Sequence, residues 1–309
     1  MFSFKTLLTT SRHSFSQAQP GNVLRCGPNN ESSLAVRKML GSIIEEAKAA
    51  RFMQADISLP GVEFQVFSQW GEDGIIQYLL HHVTVPNRNF VEFGVENYLE
   101  ANTRWLVEGH NWSGLVIDGS QQHVDAIKSD AIYWKHRLKA VSAFVDAENI
   151  NRLISGNGFS GDVGLLSVDI DGVDYWVWKA IDVVTPAIVV VEYNSLFGPA
   201  RSVTVPYDPN FVRQKAHYSW SYYGASLAAL VGLGKTKGYA FVGSNSAGNN
   251  AFFVKSDLLR SPLRELTAQQ GYVKRTFREA RNQDGKLMFP TFEEEAALIE
   301  GLPLVEVPV

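Results

Sequence analysis

Between residues 90 and 194, five short apolar, β-branched runs alternate with segments of helical periodicity. Nothing else in the chain constrains its fold as strongly. The runs are FVEFG (90–94), SGLVIDGS (113–120), LKAVSAFV (138–145), VGLLSVDID (163–171) and PAIVVVEYN (186–194). Between them lie NYLEANTRWLVEG, HVDAIKSDAI, AENINRLIS and VDYWVWKAI, each read as a helix. Strands covered on both faces read as continuous hydrophobic runs, and parallel neighbours need a crossover long enough to hold a helix. The alternation therefore predicts an α/β fold with a Rossmann-like, doubly wound, mostly parallel sheet. GYAFVGSNSAGNNAFFV (238–254) reads as two strands about a Gly/Asn/Ser turn, which brings the sheet to seven strands with an antiparallel hairpin at one edge.

The flanks divide the chain into an arm and helix (1–62), the Rossmann-like domain (63–260) and a C-terminal helical extension (261–309). In SSLAVRKMLGSIIEEAKAARF (32–52), Leu34, Met39, Leu40, Ile43, Ile44 and Ala47 fall at helical spacing, so this helix is expected to cross the core or to serve a contact between copies of the chain. A second helix is expected within 68–83, with Ser68 or Asp73 as its N-cap. Helix starts are expected at Ser261-Pro262 and at Thr291, where Glu294 completes a capping box.

Hydrophobic residues at 45% and charged residues at 19% suit a globular chain with a substantial core, and a net charge of −4 argues against nucleic acid as the partner. No apolar run reaches the ~18 residues that span a bilayer. Cys26 stands alone, which excludes a disulfide framework and a cysteine-based zinc site. The first thirty residues contain no acid and carry Lys5, Arg12 and Arg25. They read as an arm on the domain in a cytoplasmic protein, with organellar targeting left open. GLGKT (232–236) is no phosphate loop, because Ala229 stands where its first glycine belongs and a helix precedes it.

Ligands of doubly wound sheets bind beyond the carboxyl ends of the strands. Here those ends read Glu92-Phe-Gly94, Asp118-Gly119-Ser120, Asp146, Asp169-Ile-Asp171 and Glu192-Tyr-Asn194, an acid at every one. Singly, each is a turn acid or helix cap; together they concentrate negative charge along one edge. The first corner, with one glycine and Glu92, Glu96 and Glu100 around it, would repel a dinucleotide pyrophosphate. A cofactor carrying a sulfonium and an ammonium fits it better, and S-adenosylmethionine is such a cofactor. Asp118 lies about 24 residues beyond Gly94, the offset of a ribose-binding acid in such folds.

SQWGED, FVEFGVENYLEANTRWL, WSGLVIDGS, LLSVDIDGVDYWVW and VVVEYN together resemble the FkbM-like group of class I S-adenosylmethionine-dependent methyltransferases, over roughly residues 65–255. The resemblance implies that Glu92 and Gly94 lie under the methionine part of the cofactor, that Asp118 holds the ribose and that Asp146 lies near the adenine. It implies that Ser68 and Gln69 close over the carboxylate end and that Asn102 supports that corner from the following helix. The sequence departs from the family's pattern at Val95-Glu96-Asn97, where many members have another small residue or glycine.

At the fourth and fifth strand ends, Asp169, Asp171, Asp174, Glu192 and Asn194 offer oxygen ligands of the kind Mg2+ prefers, with Asp169, Glu192 and Asn194 the expected set. The alternative is that Asp171 and Asp174 cap the next helix. A metal-free route needs a base, for which Asp171 and His217 are the candidates. The aromatics between 207 and 223 read equally as a sugar-stacking surface or as core. The expected activity is O-methylation of a sugar or glycosylated small molecule, a class implied by the resemblance alone. A nicotinamide-dependent oxidoreductase and a non-catalytic binding protein are the competing readings.

Overall fold

The computed structural model describes residues 31–54 and 57–309, so the basic leader, Cys26 and Asn30 lie outside the described residues. The strands are β1 (Asn89–Phe93), β2 (Ser113–Asp118), β3 (Leu138–Ser142), β4 (Gly161–Val168), β5 (Val184–Glu192), β6 (Val203–Thr204), β7 (Tyr239–Ser244), β8 (Asn250–Lys255) and β9 (Val305–Glu306). Seven of them form one sheet in the order β3-β2-β1-β4-β5-β8-β7, while β6 and β9 pair separately. β1 to β5 are mutually parallel and β8 is antiparallel to both its neighbours, as the alternation and the Gly/Asn/Ser turn predict.

Side chains alternate between the two faces, and each face carries its own core. Val91, Phe93, Leu115 and Ile117 pack with Ile150, Ile154, Val177, Trp178, Leu230 and Leu233 from helices Ile150–Gly156, Asp174–Ala180 and Leu227–Thr236. Phe90, Val116, Leu165 and Val190 pack on the other face with Ile75, Ile76, Leu79, Trp105, Leu106, Val124 and Ile127 from helices Glu72–His82, Arg104–His110 and Gln121–Ser129. Helices on both faces make the sheet doubly wound. The order reverses between β1 and β4, and that switch point is where such a sheet opens a crevice.

Several local expectations change. The helix after β1 begins only at Arg104, because Glu96 (φ 47°) and Tyr98 (φ 63°) take left-handed backbone and residues 94–103 form a loop instead. β3 ends at Ser142, short of Val145, and HVDAIKSDAI divides into helices Gln121–Ser129 and Ala131–Lys135. Helix Glu72–His82 is preceded by Gly71 at φ 107° with no side-chain cap, so neither Ser68 nor Asp73 is its N-cap. Helix Glu31–Phe52 packs Leu34 and Ile44 on the second core, but Met39 and Ile43 face outward beside Val36. Residues 261–309 hold little helix: Ser261-Pro262 lies in a turn, and only Ala268–Gly271 and Phe292–Leu298 are helical, the latter with the expected Thr291–Glu294 capping box. GLGKT lies within helix Leu227–Thr236.

The irregular tail straps the carboxyl edge. Arg275 N–H donates to Ser195 Oγ at 3.1 Å beyond β5, Glu279 pairs with Arg213, and Arg281 N–H reaches Ser219 O at 3.0 Å.

Candidate functional site

At the carboxyl ends of β1 to β4 lies a cleft of about 380 Å3. A larger cavity of about 480 Å3 lies under the N-terminal helix against Glu45, His81 and Trp112, and no strand-end acid borders it. The cleft is lined at one end by Gly94, Glu96, Asp118, Gly119 and Ser120, and at the other by Asp169, Asp171 and Arg213. Ile117, Phe144, Val145, Val173 and Phe211 supply apolar walls, with Phe144 50% exposed.

Gly94 is there for clearance. Its φ is 70°, and a Cβ built on it would stand 1.6 Å from the Asp169 carbonyl oxygen. Without a side chain, β1 and the loop after β4 touch backbone to backbone, and this closes the cleft floor.

Asp118 ends β2 and ties two loops together. Oδ2 accepts Glu96 N–H at 2.8 Å, Oδ1 accepts Ser120 N–H at 2.8 Å, and the His123 ring nitrogen lies 3.1 Å from Oδ1. Ser120 Oγ in turn caps the following helix by accepting His123 N–H at 3.3 Å.

Glu92 lies below the cleft rather than in it. Oε1 accepts Asn102 N–H at 2.9 Å, and Oε2 accepts both Thr103 N–H and Thr103 Oγ1–H. Burial pushes its carboxyl up to about 7, against the pull of these donors. Asn102 sends its amide to Ser167 Oγ at 3.1 Å, so it braces the loop on β4 and does not reach the cleft. The loop 94–103 is therefore wrapped around a buried carboxylate, which is why a segment of helical composition is not a helix there.

Other expected site residues are also engaged elsewhere. Ser68 is wholly buried, and its N–H and hydroxyl both serve Asp73 Oδ2, which also accepts the N–H groups of Val66 and Phe67. Gln69 is exposed and does not border the cleft. Asp146 Oδ1 accepts Glu148 N–H at 3.0 Å and Asn149 N–H at 2.7 Å, the turn role each strand-end acid has when taken singly. Asn194 sends its amide to Ser221 O and Tyr223 O and takes Leu196 N–H on Oδ1, so the loop beyond β5 holds its side chain in place. His217 shares Nδ1 with Ser219 Oγ at 2.8 Å, is lowered by burial, and does not line the cleft. Of the aromatics after residue 200, Tyr222 and Tyr223 are core and Phe211 lines the cleft.

The far end of the cleft is an acid cluster around one guanidinium. Asp174 shapes it by accepting Ile170 N–H at 2.8 Å and Gly172 N–H at 3.0 Å. Asp171, held at φ 55°, is half exposed and pairs with Arg213 Nη1. Left-handed backbone at a non-glycine residue carries strain of a kind that gathers at functional sites. Arg213 also donates to Glu279 Oε2 at 2.6 Å and to Trp220 O at 2.9 Å, and its plane lies 4.3 Å over the Tyr223 ring. Asp169 and Glu192 are pushed well above the carboxylate range, first by burial and then by neighbouring acids. Asp169, Asp171 and Glu192 each bring an oxygen within 4.8 Å of the others.

Sequence reasoning missed Phe144, His123 and Arg213. Phe144 was within reach, since it follows the third strand where ligands of such sheets lie. Arg213 follows β5 by some twenty residues in an irregular loop and leaves no local signal.

No family model matches the chain, and no curated protein matches it. Solved structures to which it is similar include the O-methyltransferase from Bacillus cereus in complex with SAH, at 13% identity and TM-score 0.38, covering 73% of this chain and 90% of that one. The N-terminal domain of EvdMO1 with SAH bound is 10% identical, with TM-score 0.39, over 71% of this chain and 94% of that one. An O-methyltransferase family protein from Burkholderia thailandensis is 11% identical, with TM-score 0.35, over 72% and 70%. At this level of similarity, the chemistry has to be argued from the site's own residues.

Proposed function

We propose that the chain is an S-adenosylmethionine-dependent methyltransferase of the FkbM-like kind, acting on a hydroxyl oxygen of a sugar or glycosylated small molecule. The observation that carries this is the charge of the cleft. Glu96, Asp118 and Asp171 line it together with the raised acid Asp169, and Arg213, the one cation among the described lining residues, is already bound to Asp171 and Glu279. Such a lining repels a pyrophosphate and attracts a ligand with a fixed positive charge.

The residues present fit S-adenosylmethionine. Asp118 accepts two backbone N–H groups and lies beside the His123 ring, and two carboxylate oxygens with about four acceptor sites leave room for a ribose hydroxyl. Phe144, Ile117 and Val145 offer an apolar slot beside it for a base. The acids that line the cleft compensate the positive charge of the cofactor. Bound there, S-adenosylmethionine would supply an activated methyl group for transfer to an acceptor oxygen, with S-adenosylhomocysteine as the leaving product.

Asp171 is the acid best placed to take the hydroxyl proton, being half exposed at the cleft and oriented by Arg213. His217 has no such position. The sugar class rests on the resemblance of the five sequence blocks.

Incubation with methyl-labelled S-adenosylmethionine and a panel of hexoses and glycosides tests this. Label in an O-methyl product, lost in Asp171→Asn, is the expected result. Label appearing only on nitrogen or carbon acceptors would sink the assignment.

A further inference from the structure

The cavity of about 480 Å3 under the N-terminal helix has no part in methyl transfer. It is bordered by helices Glu31–Phe52 and Glu72–His82 and by Arg88 and Trp112, the residues just before β1 and β2. It therefore lies at the amino edge of the sheet. Gly94 and Asp118 stand at the far ends of the same two strands, a strand's length or roughly 15–20 Å away.

Its wall carries polar side chains that the fold does not use. Gln77 is 7% exposed, its amide makes no hydrogen bond among the described residues, and Nε2 is enclosed. Buried amides are nearly always paired, because an unpaired one destabilises the fold. Arg88 is exposed, and its guanidinium has no hydrogen bond or ion pair among the described residues. Glu45 is held in place instead. Its Oε2 accepts the Trp105 indole N–H at 3.0 Å and lies 3.0 Å from His110 Nε2, which leaves Oε1 unused. Phe52, Leu80 and Trp112 supply apolar wall between these groups.

We infer that this cavity is a second ligand site, separate from the cleft, and that it takes a neutral sugar ring. Pockets for small molecules run from about 300 to 1,000 Å3, with apolar walls and a few placed polar groups. Glu45 and Glu46 on the wall disfavour an anion, and Arg88 disfavours a cation. A sugar has no charge to be repelled, and each of its hydroxyls both donates and accepts. One ring can give O–H to Glu45 and take N–H from Arg88. The Gln77 amide, donor and acceptor at once, can do both with neighbouring hydroxyls. Sugar binding here is independent of the chemistry in the cleft.

The test is a titration of the isotope-labelled full chain with methyl glucoside, methyl galactoside, methyl mannoside and N-acetylglucosamine, followed by amide correlation spectra. The Gln77 side-chain signal, identified by its loss in Gln77→Met, should shift saturably with at least one of these sugars. Arg88→Ala alters an exposed side chain without partners, so it should fold. It should weaken the binding by at least about 10-fold, the worth of one hydrogen bond to a charged group. Gln77→Met should be as stable as the parent or more so, since it deletes an amide that the fold does not use. The inference is overturned if none of the sugars moves the Gln77 signal of the folded parent. Parent-like affinity in Arg88→Ala, or a marked loss of stability in Gln77→Met, overturns it equally. A shift of that signal by glycine or phenylalanine, with none by the sugars, would make the cavity a site for a zwitterion and strike the sugar assignment.

Discussion

Glu96 N–H donates to Asp118 Oδ2 at 2.8 Å, so the loop after β1 is fastened to the end of β2 by the same carboxylate that faces the cleft. The acid that reads as the ribose ligand thus also sets the shape of the wall opposite. This contact gives Glu96, at φ 47°, a reason to hold left-handed backbone. A residue that looked misplaced for a phosphate loop is a part of an acid-lined one.

Asp118→Ala should weaken S-adenosylhomocysteine binding about 10- to 100-fold, the worth of roughly 1.5–3 kcal/mol of charge-assisted hydrogen bonding. Asp118→Asn, which keeps one acceptor oxygen, should fall between. Calorimetric titration with circular dichroism as the folding control measures both. Parent-like affinity in the alanine variant would remove Asp118 from the site.

Asp146→Ala should leave that affinity within about 2-fold, since its oxygen serves Glu148 and Asn149 in a turn before helix Ile150–Gly156. Loss of this capping-type acceptor should cost about 1 kcal/mol of stability. Urea denaturation reads the second quantity. A large drop in affinity would restore Asp146 to the adenine role implied by the resemblance.

Gly94→Ala should damage both fold and binding. The new Cβ meets the Asp169 carbonyl and the backbone sits at φ 70°. Left-handed strain of about 1–2 kcal/mol adds to overpacking of about 1–3 kcal/mol. A urea midpoint indistinguishable from the parent's would mean that β1 and the β4 loop do not touch here.

Stability should fall as pH rises. Glu92 is pushed up to about 7 and Asp73 to about 6, in both cases first by burial. A carboxyl raised on folding contributes its full stability below the unfolded value and loses it as pH climbs through the folded one. The window is therefore about pH 4 to 7, and Glu92 alone is worth roughly 3 kcal/mol there, in order of magnitude. Urea denaturation at pH 5, 6.5 and 8 should show decreasing stability, with a flatter profile in Glu92→Gln. Stability rising across that range would contradict the burial of these acids.

The strands, the hairpin and the doubly wound class were legible because they depend on local runs such as VVVEYN and on one Gly/Asn turn. That Gly94, Asp118, Asp169 and Asp171 border the cleft was legible for the same reason, since each ends a readable strand. Glu92, Asn102 and Ser68 lie outside the cleft lining, and nothing local tells an acid facing the cleft from one taken by a loop's own N–H groups. The helical reading of NYLEANTRWLVEG failed on that same contact. Tertiary hydrogen bonds to Glu92 outweigh the helical propensity of residues 97–103. The contacts of Asn194 and Asp171 were not legible because their partners, Ser221, Tyr223 and Arg213, come from a loop about twenty residues beyond β5.

An acid-lined strand edge of this kind should take a cationic methyl donor rather than a phosphate-bearing cofactor. Parallel calorimetric titrations of the full chain with S-adenosylhomocysteine, NAD+ and ATP test it most directly. Saturable one-to-one binding of S-adenosylhomocysteine with no heat from NAD+ or ATP is the predicted result. Saturable binding of NAD+ or ATP, with none of S-adenosylhomocysteine, would contradict it.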